Sequence, residues 1–146
     1  MVLLPKLNNR YKNLSKIFMK EINIKTFNAT INLGLTRGYS NESISKQEVI
    51  RFIQSYQNSL ISKEKIYLSA SVSENIIVLS GQTEPHLKIE FINYPRFPYP
   101  ENILKQSINN LGKLLMNKFE QNRIVIVYTD ETIMIEKNNE IDPQII

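Results

Sequence analysis

The chain has no cysteine, no tryptophan, a single histidine and only four glycines among its 146 residues. Without cysteine there is no disulfide, no thiolate metal site and no thiol nucleophile. The histidine, His86, follows Pro85, has no partner that spacing can name, and reads as an exposed or edge residue at the start of a strand. Gly34 and Gly38 alone cannot build a glycine-rich phosphate loop. Asp130, Glu131 and Glu136 share no metal-ligand spacing, and Ser69, Ser71, Ser73 and Ser80 lie outside any nucleophile-elbow context. No catalytic residue, metal or cofactor is therefore expected. No apolar run approaches the roughly 18 residues of a membrane span. Pro5 and scattered lysines break up the first apolar residues, so no secretory signal is recognised and the expected compartment is the cytoplasm.

An apolar fraction of 42% and a charged fraction of 22% are those of one soluble globular domain. The formal charge of +4 is unevenly placed. Residues 1–25 hold Lys6, Arg10, Lys12, Lys16, Lys20 and Lys25 against Glu21, whereas the other 121 residues hold 12 basic and 13 acidic side chains. The basic character thus belongs to an N-terminal arm, 1–25, and any nucleic-acid affinity is expected there rather than in the body. Tyr11, Leu14, Phe18 and Ile22 fall at helical spacing, so the arm can fold as an amphipathic helix. The body spans 26–137, and 138–146 reads as a polar tail.

Within the body, Phe27, Ala29, Ile31, Leu33 and Leu35 alternate with polar residues, the period of a half-buried strand. The loop from Arg37 follows, and then Ser45-Lys46-Gln47-Glu48 has the pattern of a capping box. Val49, Phe52, Ile53, Tyr56 and Leu60 make one stripe on the helix it opens. Strands are predicted from Ile66 to Ser73 and over Ile76–Leu79, with a turn at Glu74-Asn75, a loop at Ser80–Pro85, and a further strand through Leu87, Ile89 and Phe91. A second helix runs from Glu101 to Phe119, and Arg123–Tyr128 and Thr132–Glu136 read as a closing strand and its short partner.

This order predicts an α+β fold, a ferredoxin-like βαββαβ sandwich with an extra short strand, its antiparallel sheet covered by two helices on one face. The first and third principal strands are expected to be central and parallel, so that the loops after them emerge at one end. On that expectation Arg37, Tyr39 and Ser40 join Tyr94, Arg96, Phe97 and Tyr99 in a single ligand-binding site, two guanidiniums with aromatic faces and helix N-termini beside them. Such a site suits a small anionic ligand of the nucleotide kind. The open face of the sheet offers Asn28, Thr30, Asn32, Lys88, Glu90 and Ile92, which lack the stacking aromatics of an RNA-recognition domain. Ile76–Leu79 and Ile124–Val127 are apolar on both faces, and a homo-oligomer is expected to cover them.

From Ile31 to about Glu136 the chain resembles an uncharacterised bacterial family of ferredoxin-like domains. The resemblance rests on Gly34-Leu35-Thr36-Arg37 after the first strand and on Phe119-Glu120-Gln121-Asn122-Arg123-Ile124 near the end. It implies the fold and carries no activity. The layout is also similar to the small oligomeric regulators of the PII and CutA kind. The function expected first is a non-enzymatic, oligomeric binding protein that senses or sequesters its ligand, in the manner of a viral or mobile-element protein. The alternatives are a structural or protein-interaction module and a small enzyme of the dimeric ferredoxin-like-barrel type.

Overall fold

The computed structural model describes residues 18–143. In chain order it comprises strand β1 (Asn28–Gly34), helix α1 (Lys46–Glu64), strands β2 (Ser71–Leu79) and β3 (Gln82–Ile92), helix α2 (Glu101–Lys118), and strands β4 (Arg123–Tyr128) and β5 (Thr132–Glu136). All neighbouring strands are antiparallel, in the order β2-β3-β1-β4-β5. This is the ferredoxin-like α+β arrangement, with β5 added at one edge.

The helices start and stop for local reasons. At α1 the Ser45 hydroxyl accepts the Glu48 N–H at 3.1 Å while the Glu48 carboxylate accepts the Ser45 N–H at 3.0 Å. That backbone donor holds the Glu48 carboxyl below its ordinary value. Helix α2 follows Pro100, where a missing N–H costs little. It ends as Glu120 turns to φ 53° and the Gln121 N–H returns to the Met116 carbonyl at 2.9 Å, the long bond of a Schellman ending. Alternate residues of the sheet (Ala29, Ile31, Leu33; Leu87, Ile89, Phe91; Ile124, Ile126) meet Val49, Ile53, Leu104, Ile108, Leu111 and Leu115 in one core. Both helices thus cover the same face.

Three expectations are corrected here. First, β1 and β3 are antiparallel, Asn28 facing Ile92 and Gly34 facing His86. A crossover from β1 through α1 makes β2 parallel to β1, and the hairpin then reverses β3 between them. Second, β2 passes straight through Glu74-Asn75, and the turn is Ser80-Gly81, with Ser80 at φ 51°. Pro85 therefore lies inside a strand. Its carbonyl accepts the Leu35 N–H on the β1 side, and since a residue's N and O point the same way, its missing donor faces the side where β1 has already ended. Third, 18–25 hold no helix, and Phe18 and Ile22 are exposed. Tyr11 and Leu14 lie outside the described residues. Among the described residues, no helix is long and apolar enough to cross a membrane.

Candidate functional site

The antiparallel register separates the predicted site into two ends. Arg37, Tyr39 and Ser40 follow β1 beside the N-terminus of α1, whereas Tyr94, Arg96, Phe97 and Tyr99 follow β3 beside the N-terminus of α2. The seven residues of β1 lie between them.

Arg37 is not placed to take an anion. Its guanidinium lies 3.3 Å from Glu42, 3.8 Å from Glu48 and 3.7 Å from Glu120, donates to the Lys118 carbonyl at 3.3 Å, and sits 5.8 Å from the centre of the Phe119 ring. Three carboxylates and a helix C-terminus already satisfy it. Ser40 is spent on the same loop, accepting the Glu42 N–H at 3.1 Å.

Tyr39, by contrast, borders a cleft of about 220 Å³ at this end, formed with Gly34, Thr36, Glu84, His86 and Gln121, and walled by Arg123 and Asp142. The turn after α2 supplies Gln121, whose Nε2 donates to the carbonyls of Thr36 at 2.8 Å and Phe119 at 2.9 Å. Its Oε1 lies over Gly34, where an added Cβ would stand 3.0 Å away. Arg123 is fixed by Glu136 at 3.1 Å, and it donates to the Tyr39 hydroxyl at 3.1 Å. Those partners raise its pKa, the Glu136 bond first. The Tyr39 hydroxyl donates in turn to the Glu140 carbonyl at 3.1 Å, which draws the C-terminal residues over the cleft.

His86 was missed as a site residue. It lies in the interior strand β3, its side chain 16% exposed, and its Nε2 is 3.2 Å from the Glu84 carboxylate. His86 Nδ1 and Asn75 Oδ1, on residues paired across the ladder, are both buried without a protein partner. An unpaired buried polar atom costs about 1–3 kcal/mol. The available signal was the hairpin: had the turn been placed at Ser80-Gly81, alternation would have put Glu84 and His86 on the open face. Asp130 and Glu131, weighed as metal ligands, instead hold Lys105 at 2.9 and 3.2 Å. These bonds raise the Lys105 pKa and lower that of Asp130. Among the described residues, no group of carboxylates and histidine is placed to hold a metal.

At the opposite end, Asn93 clamps the loop by donating to the Tyr99 carbonyl and accepting its N–H, both at 3.0 Å. Tyr94 and Phe97 are brought together there, and Tyr67, from the segment that precedes β2, joins them.

No family model matches the chain, and no curated protein does. Two solved structures share the fold. A phage SAM lyase in complex with S-methyl-5′-thioadenosine superposes with a TM-score of 0.59 at 17% identity, over 83% of this chain and 97% of that one. A phage SAM lyase in the apo state gives a TM-score of 0.63 at 15% identity, over 85% and 99%. The expectation of a non-enzymatic binding protein is corrected by these neighbours, which are enzymes. The saturation of Arg37 by carboxylates removes the physical basis of the anion site as first drawn.

Proposed function

We propose that the chain is a lyase for an adenosylated sulfonium of the S-adenosylmethionine kind, and that the Gly34–Glu84–His86–Gln121 cleft is its site. The observation that carries this reading is the cleft itself: a polar, carboxylate-bearing recess on a sheet with the fold of a lyase solved with S-methyl-5′-thioadenosine. A sulfonium is a cation that becomes neutral when its carbon–sulfur bond breaks and the electron pair stays on sulfur. The Glu84 carboxylate supplies the negative charge that draws such a cation in. If the substrate's own carboxylate displaces sulfur, atoms balance without water and no protein base is required. The protein then has to orient the chain and exclude solvent, the contribution expected of proximity.

The same reading includes self-association. A site enclosing a whole nucleoside takes roughly 300–1,000 Å³, more than this cleft provides. Immediately beside it, Ile76–Leu79 project four consecutive aliphatic side chains into solvent, Ile76 and Val78 at 66% and 65% exposure. A second copy seated on this hairpin would cover both the apolar residues and the cleft mouth.

Incubation with S-adenosylmethionine followed by chromatography tests the proposal. The parent protein is expected to release S-methyl-5′-thioadenosine, and Glu84→Gln to slow release about 10²-fold, the scale of losing one preorganised electrostatic group. Absence of both turnover and any thermal stabilisation by S-methyl-5′-thioadenosine would refute it.

A further inference from the structure

At the end of the sheet remote from the cleft, Tyr67, Tyr94 and Phe97 stand together in solvent, 46–49% exposed. The Phe97 ring centre lies 5.4 Å from that of Tyr67, at 30° between planes, and 6.0 Å from that of Tyr94, at 35°. The group is built from behind. The Tyr99 hydroxyl accepts the Tyr67 N–H at 2.8 Å and donates to the Lys65 carbonyl at 3.2 Å, while Asn93 fixes the Tyr99 backbone. Arg96 lies between Tyr94 and Phe97 in sequence, is exposed, and makes no hydrogen bond or ion pair among the described residues.

The basic segment reaches the body at this same end. Residues 22–28 line a recess with Ile92, Asn93 and Pro95, where Lys25 is paired with Glu101 at 3.4 Å, and in sequence 1–25 carry six basic residues and one acidic one. Exposed rings alone could serve several partners, but the charge beside them selects among these. A symmetric contact with a second copy would bring two such basic segments together. A polyanion with flat, unpaired faces is complementary to both features.

We propose that this end binds single-stranded nucleic acid, with Tyr67, Tyr94 and Phe97 stacking on bases while Arg96 takes a phosphate and the net positive charge of 1–25 adds attraction for the strand. Rings and cations in this combination form the platform by which proteins hold unpaired strands without reading sequence. A duplex hides the base faces and loses the stacking contribution. The open sheet face, without aromatics, takes no part. The site is independent of the lyase cleft and stands or falls separately.

Fluorescence anisotropy of the full chain with a labelled oligo-dT strand and a labelled duplex decides the matter. Single strand is expected to bind more tightly than duplex, with the logarithm of the affinity falling linearly as log salt rises. Phe97→Ala and Tyr67→Ala are each expected to weaken single-strand binding about tenfold, within the range for one stacked base. Arg96→Glu, at a solvated side chain, is expected to weaken it too and keeps the test decisive if a ring variant fails to fold. No binding at low salt, equal binding of duplex with the ring variants unaffected, or an Arg96→Glu variant indistinguishable from the parent would each overturn the proposal. So would a fall in sedimentation mass on Phe97→Ala, which would assign the rings to a second copy.

Discussion

Replacing Gly34 by alanine sets two opposing effects against each other. In a strand interior alanine is ordinarily favoured over glycine by about 0.5–1 kcal/mol, because glycine loses more conformational freedom on folding. At Gly34 the added Cβ would stand 3.0 Å from Gln121 Oε1 and 3.7 Å from His86 Nε2. Gln121 cannot retreat freely, since its Nε2 is committed to the carbonyls of Thr36 and Phe119. Displacing it forfeits two hydrogen bonds of about 0.5–1.5 kcal/mol each. The net expectation is a destabilisation of about 0.5–2 kcal/mol, read as a lower urea midpoint at unchanged slope. The diagnostic is the double variant. In a Gln121→Ala background the obstacle is gone, so Gly34→Ala should become neutral or stabilising by up to about 1 kcal/mol, a coupling that a cycle measures directly. Stabilisation in the parent background, or the same cost in both, would refute the steric account.

Two further predictions concern pH. The Tyr56 hydroxyl donates to the Ser107 carbonyl at 2.7 Å, and burial pushes its pKa up to about 12, while burial raises Tyr128 as well. Folded values above the unfolded one mean a contribution fully present below pH 10 and lost as pH rises through the folded values. Urea midpoints should therefore fall above pH 10, and Tyr56→Phe should shallow that fall. At the start of α1, Ser45→Ala should cost about 1 kcal/mol by removing the hydroxyl that caps Glu48. The Glu48 carboxyl is depressed chiefly by the Ser45 N–H, so its contribution is present above its ordinary 4.5 and lost as pH falls through the lower folded value. Glu48→Gln should flatten that acid limb in the same urea series.

Periodicity made most of the fold legible. The alternation of Phe27 to Leu35, the Ser45–Glu48 box and the stripes of both helices are local patterns, and the chain obeys them. What misled was punctuation and direction. Glu74-Asn75 looks like a turn and Pro85 like a breaker, yet both belong to long strands, because a proline beyond the end of β1 has no ladder bond to lose there. Direction followed from connectivity that was already in hand. Once β1 and β2 are joined by a helical crossover, β3 between them runs the other way, and Arg37 and Arg96 cannot share a ligand. The cleft was harder to see. Its residues come from β1, β3, the turn after α2 and the C-terminal segment, and only the register brings His86 opposite Gly34, with Glu84 two residues along the same strand.

The reach of the β2–β3 hairpin beyond β1 also bears on colloidal behaviour. β2 is an edge strand, and over Ile76–Leu79 it carries no charge and no proline to discourage another chain from adding to it. Gatekeepers stand around this run, Glu74 before it on β2 and, on the partner strand, Glu84 and Pro85 at the positions facing Ile77 and Ile76. A short, uncharged, β-branched run on an open edge is the sequence type that stacks into fibrils. If the proposed self-association uses this hairpin, assembly and aggregation compete for the same four residues, and conditions that strip away a proper partner leave a template for the wrong one.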